Sequence, residues 1–172
     1  MRGLMIGLVL TLAAPAAWAQ TQQQHDWCYS PDATDDQTVE GCTALIQAGH
    51  DTPANRAAAY DNRAFAYRNQ HLPDQAITDE NQALALDPSD ANGFNNRANA
   101  YDDKGLYDQA IADYNRAIAL QPNDAGDYFN RGDTYGKMGR RDAAADDYRA
   151  ALRLDPSMQK ARDALQRLGL TP

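Results

Sequence analysis

The chain has 172 residues, of which 24 are acidic and 16 are basic, so its formal net charge at neutral pH is −8. A chain with this acidic excess and no visible basic stripe repels phosphate backbones, which argues against nucleic acid as a partner. Aromatic residues make up only 8% of an alanine-rich composition, and this favours a thin stack of helices over a globule with one thick core.

The first 19 residues have the order of a secretory signal peptide. Arg2 precedes a short apolar run, and the small residues Ala17 and Ala19 stand just before the expected cleavage point. The apolar run is shorter than the roughly 20 residues that an ordinary transmembrane helix needs. We therefore expect an exported protein, periplasmic or secreted, with no stable membrane insertion once the signal is removed. The alternative is that the segment is retained as a membrane anchor.

Both cysteines, Cys28 and Cys42, lie in the N-terminal segment formed by residues 20–56. An even number of cysteines in an exported chain favours a disulfide, because disulfides persist in oxidising compartments. A metal site is the alternative, but two cysteines with only His25 nearby lack suitable ligand spacing. The sequence therefore predicts a Cys28–Cys42 disulfide and no metal site.

Residues 35–48 are predicted to form one amphipathic helix, because apolar side chains recur there at helical spacing. These side chains are Val39, Cys42, Leu45 and Ile46. We expect the helix to cap the domain, since the terminal units of a stack are often atypical. Residues 20–31 are then an irregular segment that the disulfide staples to this helix.

The rest of the chain repeats itself with a period of 34 residues, in three copies at residues 57–90, 91–124 and 125–158. The coinciding positions hold an aromatic, a small residue, a second aromatic, an alanine and a late proline. They are Tyr60, Phe94 and Tyr128; Ala64, Ala98 and Gly132; Tyr67, Tyr101 and Tyr135; Ala76, Ala110 and Ala144; and Pro88, Pro122 and Pro156. A fixed period of this length indicates stacked supersecondary units. Residues 159–172 then supply a C-terminal capping helix and tail.

These repeated residues resemble the tetratricopeptide repeat (TPR) family, whose helix–turn–helix unit has the same length. The resemblance implies an all-α fold, an α-solenoid of three stacked helix–turn–helix repeats with helical caps at both ends. In the middle copy we expect helices over residues 91–104 and 107–120. Gly105 lies between them, where a left-handed backbone conformation is easiest. His71 occupies the corresponding position in the first copy, at some cost.

Hairpin geometry predicts an ion pair inside every repeat. Arg97 precedes Gly105 by eight residues and Asp113 follows it by eight, so the two side chains should face each other. The equivalent pairs are Arg63 with Asp79 and Arg131 with Asp147. An anion-binding row of arginines is the alternative, but each arginine has its own aspartate.

Glu80 is a departure from the repeated pattern. It stands where the other two copies have Tyr114 and Tyr148, so the first copy is less hydrophobic at this position. We expect Glu80 to face solvent beside the long connection at residues 49–55.

The inner side of such a stack is lined by the first helix of each repeat. On these helices the candidate ligand-binding residues are Asn62, Phe65, Asn92, Asn96, Asn99, Phe129 and Asn130. Asn62, Asn96 and Asn130 form an asparagine ladder with one amide per repeat, and an amide can hold a peptide backbone without reading its sequence. The family resemblance implies this contact, with an extended peptide or a partner helix as the ligand. The alternative is that these asparagines cap or bridge helices within the repeat.

Charge on the same face narrows the choice of partner. The charged side chains there are Asp61, Asp102, Asp103 and Asp133, with Arg68 and Lys137 near the two ends. The basic clamp with which some family members hold a C-terminal carboxylate is not supported. We therefore expect a protein or peptide partner that presents a neutral or basic extended segment.

The sequence contains no nucleophile elbow, zinc-binding helix, phosphate loop or calcium loop. We therefore expect no catalytic residue and no cofactor. The sequence predicts an exported scaffold for protein–protein interaction. Two alternatives stay open, a self-associating structural module that forms homo-oligomers, and an unrecognised enzyme or enzyme subunit.

Overall fold

The computed structural model describes residues 13–171, with side chains from residue 21 onward. Within this part of the chain the backbone forms nine α-helices and no strand, which confirms the predicted all-α fold. Most of the predicted signal peptide, residues 1–12, lies outside the described residues. No helix in the described part is long and apolar enough to span a membrane. The helices are α1 (Ala13–Tyr29), α2 (Asp35–Ala48), α3 (Pro53–Asn69), α4 (Pro73–Leu86), α5 (Ala91–Asp103), α6 (Tyr107–Leu120), α7 (Ala125–Lys137), α8 (Arg141–Leu154) and α9 (Gln159–Arg167).

Three helix hairpins form the body of the molecule. They are α3–α4, α5–α6 and α7–α8, and each packs against the next. Helix α3 begins at Pro53 rather than at residue 57, because the Thr52 hydroxyl accepts a hydrogen bond from the Asn55 amide and so caps the helix. Proline suits this first helical position, where its missing N–H is not needed. Helix α9 packs against α8 and closes the C-terminal end of the stack.

Residues 20–29 are helical, so the prediction of an irregular segment at residues 20–31 is wrong. They belong to α1, which packs against α2 and also touches α3. The two helices approach closely at Gly41, where an added β-carbon would lie 2.5 Å from the backbone oxygen of Gln24. The N-terminal segment is therefore a further helical hairpin, and not a single capping helix with a staple.

A disulfide between Cys28 and Cys42 joins α1 to α2, with a Cα–Cα distance of 4.6 Å. Both cysteines are buried, and they pack with Leu45 of α2 and Ala59 of α3. The disulfide therefore lies in the small core that connects the N-terminal hairpin to the first repeat.

The turn inside each repeat passes through one residue with a left-handed backbone. The φ angle is 60° at His71, 77° at Gly105 and 72° at Gly139. Glycine adopts this conformation without a steric penalty, whereas a residue with a β-carbon does not. The first repeat therefore carries a local strain at His71 that the other two repeats avoid.

Small side chains make up much of the core. The alanines that coincide between repeats are buried where paired helices meet; they are Ala64, Ala76, Ala98, Ala110 and Ala144. Short side chains at these contacts let neighbouring helices approach closely. The core is therefore a thin layer along the stack, as the composition predicts.

The predicted ion pair is present in all three repeats. In the middle repeat, Arg97 donates from Nε and Nη2 to the two carboxylate oxygens of Asp113, at 2.7 and 2.8 Å. Its Nη1 also donates to Asn81 on α4 at 2.7 Å, so the same side chain reaches the preceding hairpin. The equivalent sets are Arg63 with Asp79 and Thr43, and Arg131 with Asp147 and Asn115. These arginines stabilise the stacking of the repeats and do not form a free row for an anion.

Candidate functional site

The first helices of the three repeats, α3, α5 and α7, form one face that we call the inner wall. Helix α3 contacts α5 and α5 contacts α7 directly, as expected on the inner side of a curved stack. Polar contacts cross both junctions. They join Asn96 to Asp61, Arg68 to Asp103, Asn95 to Asp127, and Thr134 and Lys137 to Asp102. These contacts fix the positions of the three helices relative to one another.

Two members of the asparagine ladder have structural partners. Asn62 Nδ2 donates to the backbone oxygen of Cys28 at 3.1 Å, and Asn96 Nδ2 donates to Asp61 Oδ1 at 3.2 Å. The half-buried side-chain amide of Asn130 has no hydrogen-bond partner among the described residues. Asn62 and Asn96 therefore offer a ligand mainly the acceptor oxygen of the amide, whereas Asn130 offers both donor and acceptor.

The two remaining candidate asparagines differ from each other. Asn99 accepts a hydrogen bond from the Tyr114 hydroxyl and donates one to Asn95, both at 2.8 Å, so its amide is used within the repeat. Asn95 in turn donates to Asp127 on α7, whose pKa burial raises to about 6. Asn92 is exposed near the start of α5, and its side-chain amide has no partner in the described part of the chain. Asn92 is therefore open to a ligand, and Asn99 is structural.

The two candidate phenylalanines lie in opposite surroundings. Phe65 is 53% exposed, whereas Phe129 is only 7% exposed, so the predicted place of Phe129 on the open wall is wrong. The Phe129 ring packs against Tyr148, with 5.6 Å between ring centroids. Lys160 of α9 lies over the same ring, 4.3 Å from its centroid. The C-terminal helix therefore covers the inner wall at this end.

Phe65 borders an open cavity of about 330 Å³ between α3 and the end of α1, which we call the Phe65 cavity. Tyr29, Pro31 and Ala66 contribute to its lining together with the ladder residue Asn62. An apolar recess beside a few polar groups is the usual composition of a ligand site. The Phe65 cavity is large enough to seat one side chain of an extended segment.

Two cations of the inner wall, Arg68 and Lys137, form ion pairs with carboxylates. Arg68 pairs with Asp103 at 2.9 Å, and Lys137 pairs with Asp102. Because both cations already contact carboxylates, neither is free to hold an acidic ligand. The wall therefore presents acceptor oxygens and negative charge.

A second opening, of about 430 Å³, lies where the first and second repeats meet. We call it the acidic cavity, because the carboxylates of Asp61, Asp87 and Asp90 line it. The rest of its lining is apolar and consists of Pro53, Ala54, Ala57, Ala58 and Leu86. Among residues 21–171, no Lys, Arg or His forms an ion pair with any of the three carboxylates.

Glu80 lies next to the acidic cavity and is only 1% exposed, so the expectation that it faces solvent is wrong. It shares a hydrogen bond with Asp61, while its Oε2 atom has no partner. Burial, together with the nearby carboxylates of Asp61 and Asp90, raises the pKa of Glu80 to about 10. Burial also raises the pKa of Asp61. Glu80 is therefore protonated at neutral pH and can donate its proton to Asp61.

The sequence pattern did not predict the acidic cavity, although one signal was present. In the second repeat, Tyr114 bonds Asn99 on its own first helix. The position equivalent to Asn99 in the first repeat is Phe65, which has no polar atom. Glu80, which replaces the tyrosine, bonds Asp61 instead. The paired substitutions at positions 65 and 80 therefore mark this junction as different from the next one.

These features define a class of protein. It is a stack of two-helix repeats whose inner wall is open and negatively charged. Some side-chain amides of this wall have no hydrogen-bond partner in the described part of the chain. Comparison with family models identifies the repeats. A TPR repeat model matches residues 99–139, and two tetratricopeptide repeat models match residues 127–158 and 81–112. The matched part of the chain, residues 81–158, therefore consists of tetratricopeptide repeats.

Several solved structures have the same fold. The Arabidopsis OM64 TPR domain is 25% identical, with a TM-score of 0.65 over 68% of this chain and 97% of that one. The first TPR domain of Spaghetti (RPAP3), solved with the HSP90 peptide SRMEEVD, is 26% identical, with a TM-score of 0.65 over 67% of this chain and 92% of that one. The MamA protein, at 21% identity, has a TM-score of 0.71 over 91% of this chain and 85% of that one. The comparison with curated proteins found no match.

Proposed function

We propose that this protein is an exported scaffold that holds an extended segment of a partner protein on its inner wall, without catalysing a reaction. The observation that carries the proposal is the exposed Phe65 beside a cavity that Asn62 also lines. The unpaired amides of Asn92 and Asn130 extend the same face along the stack. The similar domain of RPAP3 was solved with a bound peptide, which supports peptide binding as the use of such a wall.

The contacts suggest how the segment lies. An apolar side chain enters the Phe65 cavity, and the oxygens of Asn62 and Asn96 accept hydrogen bonds from backbone N–H groups of the ligand. Asn130 can bond both the N–H and the C=O of one peptide unit. Helix α9 covers Phe129, so the segment lies along the first two repeats and reaches the third only at Asn130.

We infer that the bound segment is neutral or basic. The peptide in the RPAP3 complex, SRMEEVD, contains three acidic residues. On the present chain Arg68 and Lys137 are already paired with carboxylates, so neither is free to receive such residues. Like charges facing each other across an interface are unfavourable, which excludes strongly acidic segments.

Export is part of the same proposal. The signal-like order of residues 1–19 supports it, and so does a buried disulfide of the kind that persists in oxidising compartments. Cleavage after Ala19 would fall within α1 and would leave the part of the helix that contains Cys28. Mass spectrometry of the protein from a periplasmic fraction should find Gln20 as the first residue. Recovery of the uncleaved chain from the cytoplasm would contradict export.

Selection of peptides from a random phage-displayed library against the oxidised protein tests the scaffold proposal. We expect the selected peptides, made synthetically, to bind at least about tenfold more weakly to Phe65→Ala/Asn130→Ala, because anchor residues dominate such interfaces. Gln109→Ala, an exposed amide on α6, is the matched control and should leave affinity unchanged. Equal affinity for all three proteins would show that the inner wall is not the binding surface.

A further inference from the structure

Within residues 21–171, no cation is paired with the carboxylates of the acidic cavity. Asp61, Asp87 and Asp90 have no cationic partner in the described part of the chain, whereas Asp103, at the other end of α5, pairs with Arg68. Hydrogen bonds from Ser89 lower the pKa of Asp87, which keeps that carboxylate ionised. An opening lined by carboxylates concentrates their negative electrostatic potential and so attracts cations.

Glu80, which bonds the cavity residue Asp61, supplies a second observation beside the cavity. Its side chain is buried, and Oε2 has no hydrogen-bond partner, which is rare for a buried polar atom. Its carboxyl group shares a hydrogen bond with Asp61, which lines the cavity. A cation that reaches Asp61 would therefore also favour the ionised form of Glu80.

The lining of the acidic cavity indicates what kind of cation fits. The described residues contain no group of three or more side chains placed to hold a metal ion. The apolar surface of Ala57, Ala58 and Leu86 suits the methylene groups of a long side chain, with its charged end among the carboxylates. This combination matches lysine and arginine better than a small inorganic ion.

We propose that the acidic cavity is a recognition pocket for one lysine or arginine side chain of the segment that lies on the inner wall. The inference rests on the proposed function and adds the chemical class of residue that is recognised. Asn96 of the asparagine ladder bonds Asp61, so the pocket opens beside the path of the ligand backbone. The ammonium or guanidinium group lies among Asp61, Asp87 and Asp90 and offsets the negative charge that they carry.

Entry of a cation changes the protonation of Glu80. The charged groups that act on its carboxyl are Asp61 on α3, Asp90 before α5 and Arg97 on α5. Another positive charge near Asp61 lowers the pKa of Glu80. A fraction of the protein molecules therefore lose the Glu80 proton when the ligand binds. Because protons are released, the affinity for a basic ligand rises with pH as long as the ligand stays charged.

The test uses acetylated and amidated nine-residue peptides of alanine and serine that differ only at the central residue, which is arginine, lysine, norleucine or glutamate. Each peptide is titrated into the disulfide-bonded protein and followed by NMR of the backbone amides. The pocket variant is Asp61→Asn/Asp87→Asn/Asp90→Asn, in which asparagine preserves the acceptor for Asn96 and the helix cap. The charge-matched control is Asp108→Asn/Asp142→Asn/Asp146→Asn, on exposed positions of α6 and α8.

We expect the arginine and lysine peptides to bind the natural protein and the control about tenfold more tightly than the norleucine peptide. This preference should vanish in the pocket variant. Between pH 7 and pH 9, affinity for the arginine peptide should rise about threefold in the natural protein and stay constant in Glu80→Gln.

The pocket proposal would be overturned by equal affinity for the arginine and norleucine peptides. It would also be overturned if the pocket variant still preferred the arginine peptide. If the norleucine peptide still binds and Phe65→Ala weakens it, the scaffold proposal stands and only the pocket fails. If none of the four peptides perturbs the inner wall, both proposals fail.

Discussion

Arg97 and Asp113 lie eight residues before and eight residues after Gly105, and they meet through two hydrogen bonds of 2.7 and 2.8 Å. Their side chains are only 18% and 11% exposed. Because Arg97 also bonds Asn81, one guanidinium group connects α5 with both α6 and α4. The register of the hairpin and the stacking of two repeats therefore depend on the same residue.

Arg97→Lys should lower the free energy of unfolding by about 2 kcal/mol, because an ammonium group cannot make the two parallel bonds and the third bond together. Arg68→Lys is the control, since its pair with Asp103 is more exposed and should contribute about 0.5 kcal/mol. Urea unfolding followed by circular dichroism measures both changes. Similar losses in the two variants would mean that the Arg97 contacts add nothing beyond an ordinary surface pair.

His71→Gly should stabilise the protein by about 0.5 kcal/mol, since glycine removes the left-handed strain but loses more backbone entropy on folding. The reverse change in the equivalent turn, Gly105→Ala, should destabilise by about 1 kcal/mol, even though an added β-carbon would have nothing within 4 Å. Thermal unfolding of both variants provides the comparison. A lower melting temperature for His71→Gly would show that the imidazole makes a contact that outweighs the strain.

Glu80→Gln should stabilise the protein at pH 7 by about 1–3 kcal/mol. The folded-state pKa of Glu80 is about 10, against an ordinary value of 4.5, so between these values the unfolded chain holds a charge that must be neutralised on folding. The free-energy cost of neutralising Glu80 on folding grows by about 1.4 kcal/mol for each pH unit above its ordinary pKa. Below pH 4 the carboxyl is protonated in both states, and the advantage of glutamine should disappear.

Paired urea titrations of the natural protein and Glu80→Gln at pH 4, 5.5 and 7 measure this difference. Asp127 also has a raised pKa, but it is common to both proteins and cancels in the comparison. Asp61 also has a raised pKa and shares a hydrogen bond with Glu80, so the measured difference belongs to the Glu80–Asp61 pair. Parallel stability curves for the two proteins would show that Glu80 is ionised in the folded state.

Gly41→Ala should destabilise the protein by about 2 kcal/mol, because the new methyl group would lie 2.5 Å from the Gln24 oxygen and 2.8 Å from the Cys28 nitrogen. Backbone atoms cannot move aside as a flexible side chain can, so α1 and α2 must separate. Gly136→Ala is the matched control within a helix, where the nearest atom to an added β-carbon is the Tyr148 hydroxyl at 3.5 Å. It should stabilise by about 1 kcal/mol through helix propensity. Equal effects of the two alanines would rule out a tight contact between α1 and α2.

Local chemistry made much of the fold predictable. A period of 34 residues, with small side chains at fixed places and a proline after each second helix, defines hairpins that can bury their apolar stripes only by stacking. The Arg97–Asp113 pair follows from the same register, because positions at equal distances from a tight turn are level in an antiparallel hairpin. These features depend on residues close together in the chain, and the structure confirms them.

The errors concern contacts between elements that the repeat pattern does not describe. Phe129 matches an open position by its spacing, but α9 covers it, and only the packing of a later helix decides that burial. Glu80 faces inward because its helix points that position toward the junction between repeats, whatever side chain it carries. Residues 20–29 lie in a helix that packs closely against α2 at Gly41, a contact without any periodic signal.

The sequence by itself determined the class of fold, the repeat register and the three Arg–Asp pairs, since each follows from local propensity and fixed spacing. Only the tertiary structure decided which asparagines of the ladder keep an unpaired amide and where the acidic cavity opens. The physical reason is that a hydrogen bond or a cavity depends on the distance between side chains from different helices. That distance is set when whole hairpins pack together.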